Sequence, residues 1–284
     1  MAISVSLVNM KGGVGKTTLA AQLAHASVRR KLRTLAVDLD PQANLSQALL
    51  SAEKYVKHLR DRKPTIVQIF EQYFPPTEES ASPRPLDISE VILKQAGYTY
   101  KPDLIVSRLE LSHTLKNPTG KERRLAKALT KVADAYDLIL IDCAPTESIL
   151  TEAAYHASRY ALVPVKPEYL ATIGLPLLAR SIQEFKYENG DHALDICGIV
   201  FNHSSAYSDG PEGSRSIKEV QAEAKKNVWH VFGTHVRYSR SYAKAAREGT
   251  PIGSTSYARW EVSREFSRFV DEFFQAIGLT QEKK

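Results

Sequence analysis

Cysteine and long hydrophobic runs are scarce in this sequence. Only Cys143 and Cys197 occur among 284 residues, and they form no CxxC pair. This excludes a disulfide framework or a structural zinc site and favours a reducing compartment. No apolar run approaches the ~20 residues of a membrane-spanning helix, and the N-terminus lacks the basic start and cleavage site of a signal peptide. We therefore expect a cytoplasmic protein.

The remaining composition is that of a globular protein with a slight basic excess. Hydrophobic residues make up 43% and charged residues 25% of the chain, enough for a sizeable core. The net charge is +6 and the pI about 9.1. Such a balance is compatible with a polyanionic partner but does not by itself identify one.

Short apolar runs alternate with helical patterns along most of the chain. The apolar runs cover residues 3–9, 34–40, 104–106, 138–142, 160–165 and 196–202. Residues 17–30 show helical spacing, with Leu19, Leu23 and Ala26 on one face. Nearly continuous apolar strands separated by helices indicate a sheet covered on both faces. We predict an α/β fold, doubly wound, with a mostly parallel sheet.

The stretch from 51 to 121 is less regular. Residues 74–85 are rich in proline and charge and predict a surface loop, between helix candidates at 66–73 and 88–95. No fixed-period repeat occurs in the chain. We expect residues 1–284 to form one domain that carries an irregular insertion at about 51–121.

A glycine-rich segment lies between the first strand and the first helix, where a phosphate-binding loop requires it. Its residues are Gly12, Gly13, Val14, Gly15, Lys16, Thr17 and Thr18. The glycines let successive N–H groups face phosphate oxygens, and the helix N-terminus adds its dipole. Lys16 would reach the β- and γ-phosphates, and Thr17 would offer its hydroxyl to Mg²⁺. The segment predicts ATP and Mg²⁺ binding.

Carboxylates follow two of the apolar strands. Asp38 and Asp40 end the second strand, and residues two apart in a strand share a face, so both are expected to point into one crevice. Asp142 ends the run 138–142 in the Walker B form and would hold Mg²⁺ through water. Ligands bind at this carboxyl end of parallel strands.

The loop departs from the ordinary Walker pattern, because Met10 stands where the first glycine should be and Lys11 precedes the glycine pair. In this it resembles the deviant Walker ATPases of the ParA and MinD class, most closely the ParA partition ATPases. The resemblance implies that Lys11 reaches a partner subunit's nucleotide and neutralises charge on the transferred phosphoryl group. It assigns Asp40 to positioning the attacking water, and Asp38 to the outer shell of Mg²⁺.

The resemblance extends over nearly the whole chain. The segment from Val163 to Tyr169, with Gly174 and Leu175, is similar to the part of the family that lines the dimer face. Asn202 ends a strand where relatives often use an amide to read adenine, although a loop cap explains it equally well. We expect no N-terminal helix-turn-helix domain, since the P-loop starts at residue 11.

A basic run marks the C-terminal part. Residues 225–247 contain no Asp or Glu, and Trp229, Tyr238 and Tyr242 are interleaved with the cations. The cations are Lys225, Lys226, Arg237, Arg240, Lys244 and Arg247. A solvated face usually mixes charges of both signs. ParA relatives bind DNA non-specifically through this region, so we predict these six as DNA-binding residues, with a functionless basic surface as the alternative.

The pattern of the last helix bears on whether the protein binds membranes. Val262, Phe266, Phe269, Val270, Phe273 and Ile277 recur at spacings of three and four. MinD proteins bind membranes through such a helix, but here the polar face carries acidic residues beside its arginines. We expect the helix to pack on the sheet.

These observations together predict a slow, partner-stimulated ATPase. ATP would join two subunits into a homodimer on nucleoid DNA, and a cargo-bound adaptor of the ParB type would trigger hydrolysis. The cargo could be a plasmid, a chromosome or a protein body. The alternatives are a MinD-like membrane-cycling regulator and a reductase component like the nitrogenase iron protein. The latter needs two cysteine ligands per subunit, which Cys143 and Cys197 are poorly suited to supply.

Overall fold

A single sheet organises the fold. In a computed structural model that describes residues 2–76, 82–95, 101–190, 192–204 and 210–279, eight strands pair in the order β10-β9-β8-β1-β7-β2-β6-β5. The strands are β1 (Ile3–Leu7), β2 (Thr34–Leu39), β3 (Tyr73–Phe74), β4 (Arg84–Pro85), β5 (Ile92–Leu93), β6 (Asp103–Ile105), β7 (Leu138–Cys143), β8 (Tyr160–Val165), β9 (Asp195–Ser204) and β10 (Val236–Arg237). Strands β3 and β4 form a separate hairpin.

Helices fill the connections between these strands. They are α1 (Lys16–Arg29), α2 (Asn44–Leu50), α3 (Ala52–Arg60), α4 (Ile66–Glu71), α5 (Ile88–Val91), α6 (Ser112–Lys116), α7 (Arg124–Thr130), α8 (Ile149–Ala157), α9 (Tyr169–Glu188), α10 (Gly210–Lys226), α11 (Arg240–Glu248) and α12 (Trp260–Ala276). None of the helices in the described ranges is long and apolar enough to cross a bilayer.

The predicted doubly wound fold is confirmed. All pairings of the large sheet are parallel except that of β5 with β6. Alternate residues of β7 face opposite sides: Ile139 and Ile141 join a core with α4 and α7 to α10, whereas Leu138 and Leu140 join one with α1, α2, α11 and α12. A strand buried on both faces has to be apolar throughout, which is why the motif-bearing strands read as unbroken hydrophobic runs.

The last helix packs as expected. Phe266, Phe269, Val270 and Phe273 of α12 are at most 4% exposed and lie in the core on the α1 side of the sheet. Burial of each aromatic side chain contributes on the order of 2 kcal/mol to the stability of the fold. The apolar face of α12 is therefore part of the core.

Residues 51–121, predicted as an irregular insertion, contribute β5 and β6 to the large sheet. The predicted helix at 88–95 is wrong in its second half. Only Ile88–Val91 is helical, because Ile92 and Leu93 turn extended and pair antiparallel with Ile105 and Leu104. The predicted loop at 74–85 begins and ends in the β3–β4 hairpin, and its residues 77–81 lie outside the described residues.

Candidate active site

A glycine-rich loop joins β1 to the N-terminus of α1. Gly13 and Gly15 have φ angles of +75° and +91°, in the left-handed region that favours glycine. A Cβ on Gly15 would lie 2.0 Å from Nδ2 of Asn202, so no larger residue fits there. Since α1 begins at Lys16, the unpaired N–H groups of its first turn are available to an anion. The predicted P-loop therefore has the geometry of a phosphate site.

The Lys16 ammonium is held inside this loop. Its Nζ donates hydrogen bonds to the carbonyl oxygens of Asn9 at 2.8 Å and Lys11 at 3.2 Å. Burial lowers the pKa of Lys16, and the carboxylate of Asp142 is the main group that opposes the shift. A buried cation that donates only to carbonyl oxygens is ready to bind phosphate oxygens.

Asp142 places oxygen atoms beside the P-loop at the end of β7. Both carboxylate oxygens are buried, and neither has a hydrogen-bond partner in the described part of the chain. Burial raises the pKa of Asp142 well above its usual range, while the nearby Thr17 hydroxyl and Lys16 ammonium act in the opposite direction. An unpartnered buried carboxylate is costly, and a divalent cation with its waters would remove that cost.

These residues fit Mg²⁺. The ion takes one or two protein oxygens and keeps phosphate oxygens and waters as its other ligands. Thr17 would hold it directly and Asp142 through water, as the sequence predicted. Bound there, Mg²⁺ would neutralise charge on the phosphates.

Asp38 and Asp40 lie in different surroundings, although both were expected to face one crevice. Asp40 lines the cavity above the P-loop, and its Oδ1 accepts a hydrogen bond from the Gln42 N–H at 2.9 Å. Asp38 is completely buried. Its Oδ2 accepts hydrogen bonds from the N–H and the hydroxyl of Ser46, both at 2.7 Å, and its Oδ1 accepts one from the Asp40 N–H at 3.2 Å.

The structure thus corrects the expectation of a shared crevice. Burial raises the pKa of Asp38 to about 7, with the Ser46 hydrogen bonds acting against the shift. With its oxygens bonded inside the protein, Asp38 braces the turn between β2 and α2. Its place in the outer shell of Mg²⁺ stays a prediction.

Ser107 continues this buried hydrogen-bond chain from the end of β6. Its N–H donates to the Ser46 hydroxyl oxygen at 2.9 Å, and its own hydroxyl donates to the Asp40 carbonyl oxygen at 2.7 Å. Residues 51–121 therefore help to hold the backbone of Asp40. No sequence pattern pointed to Ser46 or Ser107, because single serines at element ends belong to no motif.

Lys11 is engaged within its own chain. Its Nζ lies 2.7 Å from Oε2 of Glu168, the residue before α9, and Lys166 pairs with the other oxygen of the same carboxylate. Both cations lower the pKa of Glu168. Glu168 was missed as a functional residue, although it stands in the segment predicted to line the dimer face, where its charge opposite to Lys11 was the available signal.

Asn202 and His203 lie near the end of β9 beside the P-loop. The Asn202 amide donates to the Val14 carbonyl oxygen at 2.7 Å, so that donor already braces the loop. Reading adenine stays a prediction for this residue. His203, which the sequence did not single out, lines the cavity with φ at +58°, and burial lowers its pKa.

The cavity at this site has a volume of about 570 Å³, which suits a nucleotide. The P-loop forms one wall. The other walls come from α1, α2, α11, the ends of β2 and β7 with the residues that follow them, and His203 of β9. Of the side chains on α11, Tyr242, Ala246 and Arg247 reach the cavity, a contribution that the sequence did not predict.

The six cations of the basic run differ in their surroundings. Lys226, Arg237 and Lys244 pair with carboxylates, those of Glu223 at 3.7 Å, Glu265 at 2.8 Å and Glu248 at 3.4 Å. All three of these acids lie outside the run, which is why counting residues within it overstated its net charge. Lys225, Arg240 and Arg247 have no ion pair with the residues that the structure describes, but Arg247 borders the nucleotide cavity.

The assembled site is that of a P-loop ATPase. The loop and Lys16 would bind the terminal phosphates, and Asp40 is the carboxylate that faces the same cavity and can orient water for attack on the γ-phosphate. Positioned charge is the main requirement for phosphoryl transfer. The geometry supplies both the cations and the carboxylates in one cleft.

Comparisons with known proteins agree with this class. The family described as an AAA domain matches residues 2–196. The chromosome-partitioning ATPase Soj of Treponema pallidum is 33% identical over 281 residues, with 98% of this chain and 99% of that protein covered. The chromosome partitioning protein ParA of Myxococcus xanthus is 31% identical over 234 residues, covering 80% of this chain and 74% of that protein.

Solved structures share the fold. A complex of Cyanothece McdA with ATP aligns with a TM-score of 0.78 at 18% identity, over 100% of this chain and 99% of that one. A plasmid partition protein of Borrelia burgdorferi bound to AMPPNP aligns with a TM-score of 0.72 at 19% identity, over 97% and 99%. The chain belongs to the ParA-type family of P-loop partition ATPases.

Proposed function

We propose that this ATPase forms an ATP-dependent homodimer that binds DNA without sequence preference and positions a cargo, with slow hydrolysis that a cargo-bound adaptor of the ParB type stimulates. Mg²⁺ would accompany ATP, and the dimer would sit on the nucleoid in the cytoplasm. The observation that carries the proposal is the position of Lys11. It directly precedes Gly12 of the ATP cavity, and its Nζ pairs with Glu168 at the start of α9, the one carboxylate that neutralises it within the described part of the chain.

The surface next to Lys11 supports a dimer. On α9, Tyr169, Ile173 and Leu177 follow at intervals of four and are 60%, 49% and 53% exposed. Residues four apart lie on one face of a helix, so these three form an apolar stripe that begins directly after Glu168. Exposed apolar stripes of this kind mark interaction sites. A second subunit seated there would bring its phosphates toward Lys11.

The alternatives find less support. A MinD-like membrane cycle would need the apolar face of α12, which is buried in the core. A reductase with a bridging iron–sulfur cluster would need two cysteines at the surface between subunits. Cys143 and Cys197 are 3% and 6% exposed, and Cys143 lines the nucleotide cavity.

Glu168→Gln is expected to strengthen ATP-dependent dimerisation. Lys11 has to leave Glu168 before it can reach a partner's phosphates, and a half-exposed ion pair is worth about 0.2–1 kcal/mol. A dimer breaks two such pairs, so its dissociation constant should fall by roughly two- to thirtyfold. Sedimentation with ATP and Mg²⁺ measures it. Glu184→Gln is the matched control, since Glu184 pairs with Arg180 on the same helix at 2.7 Å. A weaker dimer in Glu168→Gln alone would contradict this role.

DNA binding should depend on ATP. In the basic run, one subunit offers three cations without an ion pair to the described residues, and a dimer doubles them, so the log–log salt slope should steepen by roughly 0.9 for each added phosphate contact. Because cations on a surface touch phosphates and not base edges, two unrelated duplexes should bind alike. Salt titrations with ATP and with ADP measure both effects.

Two variants complete this test. Arg240→Ala should weaken DNA binding severalfold with ATP affinity intact, whereas Lys127→Ala, an exposed lysine of α7 on the other side of the sheet, should not. Equal affinities with ATP and ADP would remove the nucleotide switch. No binding at low salt would make the basic run an ordinary solvated surface.

A further inference from the structure

Helix α11 forms a wall of the nucleotide cavity as well as part of the basic run. Its residues Tyr242, Ala246 and Arg247 reach the cavity, while Arg240 at its first position is exposed away from it. Positions 242 and 246 are one turn apart and share a helix face. The six basic residues grouped by sequence thus include one, Arg247, whose side chain borders the ATP site.

The C-terminal end of α11 lies against α1 and α2, two helices that line the ATP cavity. Gln22 of α1 lines the same cavity, and its Nε2 donates to the Thr250 carbonyl oxygen at 3.4 Å while its Oε1 accepts from the Ile252 N–H at 2.8 Å. A Cβ on Gly249 would lie 3.3 Å from the carbonyl oxygen of Leu49, at the end of α2. These contacts hold Arg247 beside the P-loop helix.

The charge of Arg247 is not used elsewhere in the described ranges. It makes no ion pair there, whereas its neighbours Lys244 and Glu248 pair with each other at 3.4 Å. The cavity that it borders already contains Lys16 and would receive a nucleotide with several negative charges. A guanidinium binds phosphate oxygens through paired N–H donors and keeps its charge at all physiological pH values.

We propose that Arg247 is a nucleotide-binding residue, which donates to the phosphates of bound ATP from α11. It is a second source of positive charge besides the P-loop, supplied by a segment more than 200 residues later in the chain. The inference rests on ATP binding by this site and not on DNA binding or dimerisation.

The test compares Arg247→Ala with Arg240→Ala, which removes an exposed, unpaired arginine from the same helix. Affinities for fluorescent ATP and ADP analogues are measured at constant ionic strength with Mg²⁺, and DNA binding is measured in parallel. Arg247→Ala should raise both nucleotide dissociation constants by about tenfold, as expected for one lost charged hydrogen bond. Arg240→Ala should leave them within twofold of the parent.

Two further variants show whether the positive charge of Arg247 is what binds the nucleotide. Arg247→Lys keeps the charge and should recover part of the affinity, whereas Arg247→Gln keeps polarity without charge and should resemble Arg247→Ala. Parental affinity in Arg247→Ala, or equal losses in Arg247→Ala and Arg240→Ala, would overturn the assignment. If the parent protein itself fails to bind ATP, the ATPase function fails, and that result is distinct from a failure of Arg247 alone.

Discussion

Lys16→Ala is expected to lose ATP affinity by about 100-fold while keeping its fold. Charged hydrogen bonds contribute roughly 1.5–3 kcal/mol each, and the ammonium would make more than one of them to the phosphates. The buried lysine contributes little to the fold, because burial already disfavours its charge. Calorimetric titration with ATP and Mg²⁺ measures the loss.

Thermal unfolding gives an independent readout of the same change. At a ligand concentration 100 times its dissociation constant, ATP should stabilise the parent by about 2.7 kcal/mol, and a 100-fold weaker site would retain only about 0.4 kcal/mol. Lys127→Ala controls for the loss of a lysine, since that residue is exposed on α7. A parental shift in Lys16→Ala would mean that nucleotide binds elsewhere.

The sequence predicted the parts of the site that lie within continuous motifs. Each motif of the site consists of a buried strand and the polar residues at its end; this holds for the P-loop, the end of β2 and the end of β7. A local sequence pattern therefore also predicts where these polar residues lie in the fold. Parallel pairing then sets Asp38 and Asp142 opposite each other in register, as the order of the strands implies. Because the sheet is buried on both faces, these strands are continuous apolar runs that can be recognised in the sequence.

The remaining parts depend on contacts between distant segments. Lys11 and Glu168 are 157 residues apart, and Ser107 reaches the Asp40 carbonyl oxygen from a strand 67 residues later. Neither pairing follows from periodicity. The same holds for the error at Ile92, where an antiparallel edge pairing with β6 overrode a short helical pattern.

The position of α11 explains why the basic run does not form one uniform surface. Residues 225–247 share a charge in sequence, yet the fold sends them to separate surroundings: three beside carboxylates, and Arg247 to the ATP cavity. Gln22 and Gly249 fix α11 against α1 and α2, so the helix that presents Arg240 outside also borders the nucleotide.

Asp40→Ala is expected to abolish turnover while ATP and Mg²⁺ remain bound. Asp40, directly after β2, is a carboxylate that faces the cavity, and no phosphate contact is assigned to it, so its loss should remove only the positioning of water. Such a loss costs about 100-fold or more in rate. The fold should be retained, since the carboxylate accepts one hydrogen bond from the Gln42 N–H and its backbone is held independently by Ser107. Phosphate release under saturating ATP measures the rate.

Asp40→Asn separates charge from shape. The amide oxygen can still accept from the Gln42 N–H, so this variant should match Asp40→Ala in rate and the parent in stability. Turnover at the parental rate in either variant would show that another group positions the water.

Asp40→Ala should also accumulate as a dimer. This variant is expected to bind ATP without hydrolysing it, so the phosphates that Lys11 requires stay in the site. Nucleotide can shift monomer to dimer only through a contact that one state makes and the other lacks, and in the proposed dimer the contact of Lys11 with the partner's phosphates would be that contact. Light scattering on Asp40→Ala should therefore give twice the monomer mass with ATP and the monomer mass with ADP. Adding Lys11→Ala should return the ATP sample to monomer with nucleotide still bound. An unchanged mass with ATP and ADP would leave Lys11 with Glu168 as its only partner and remove ATP from control of the oligomeric state.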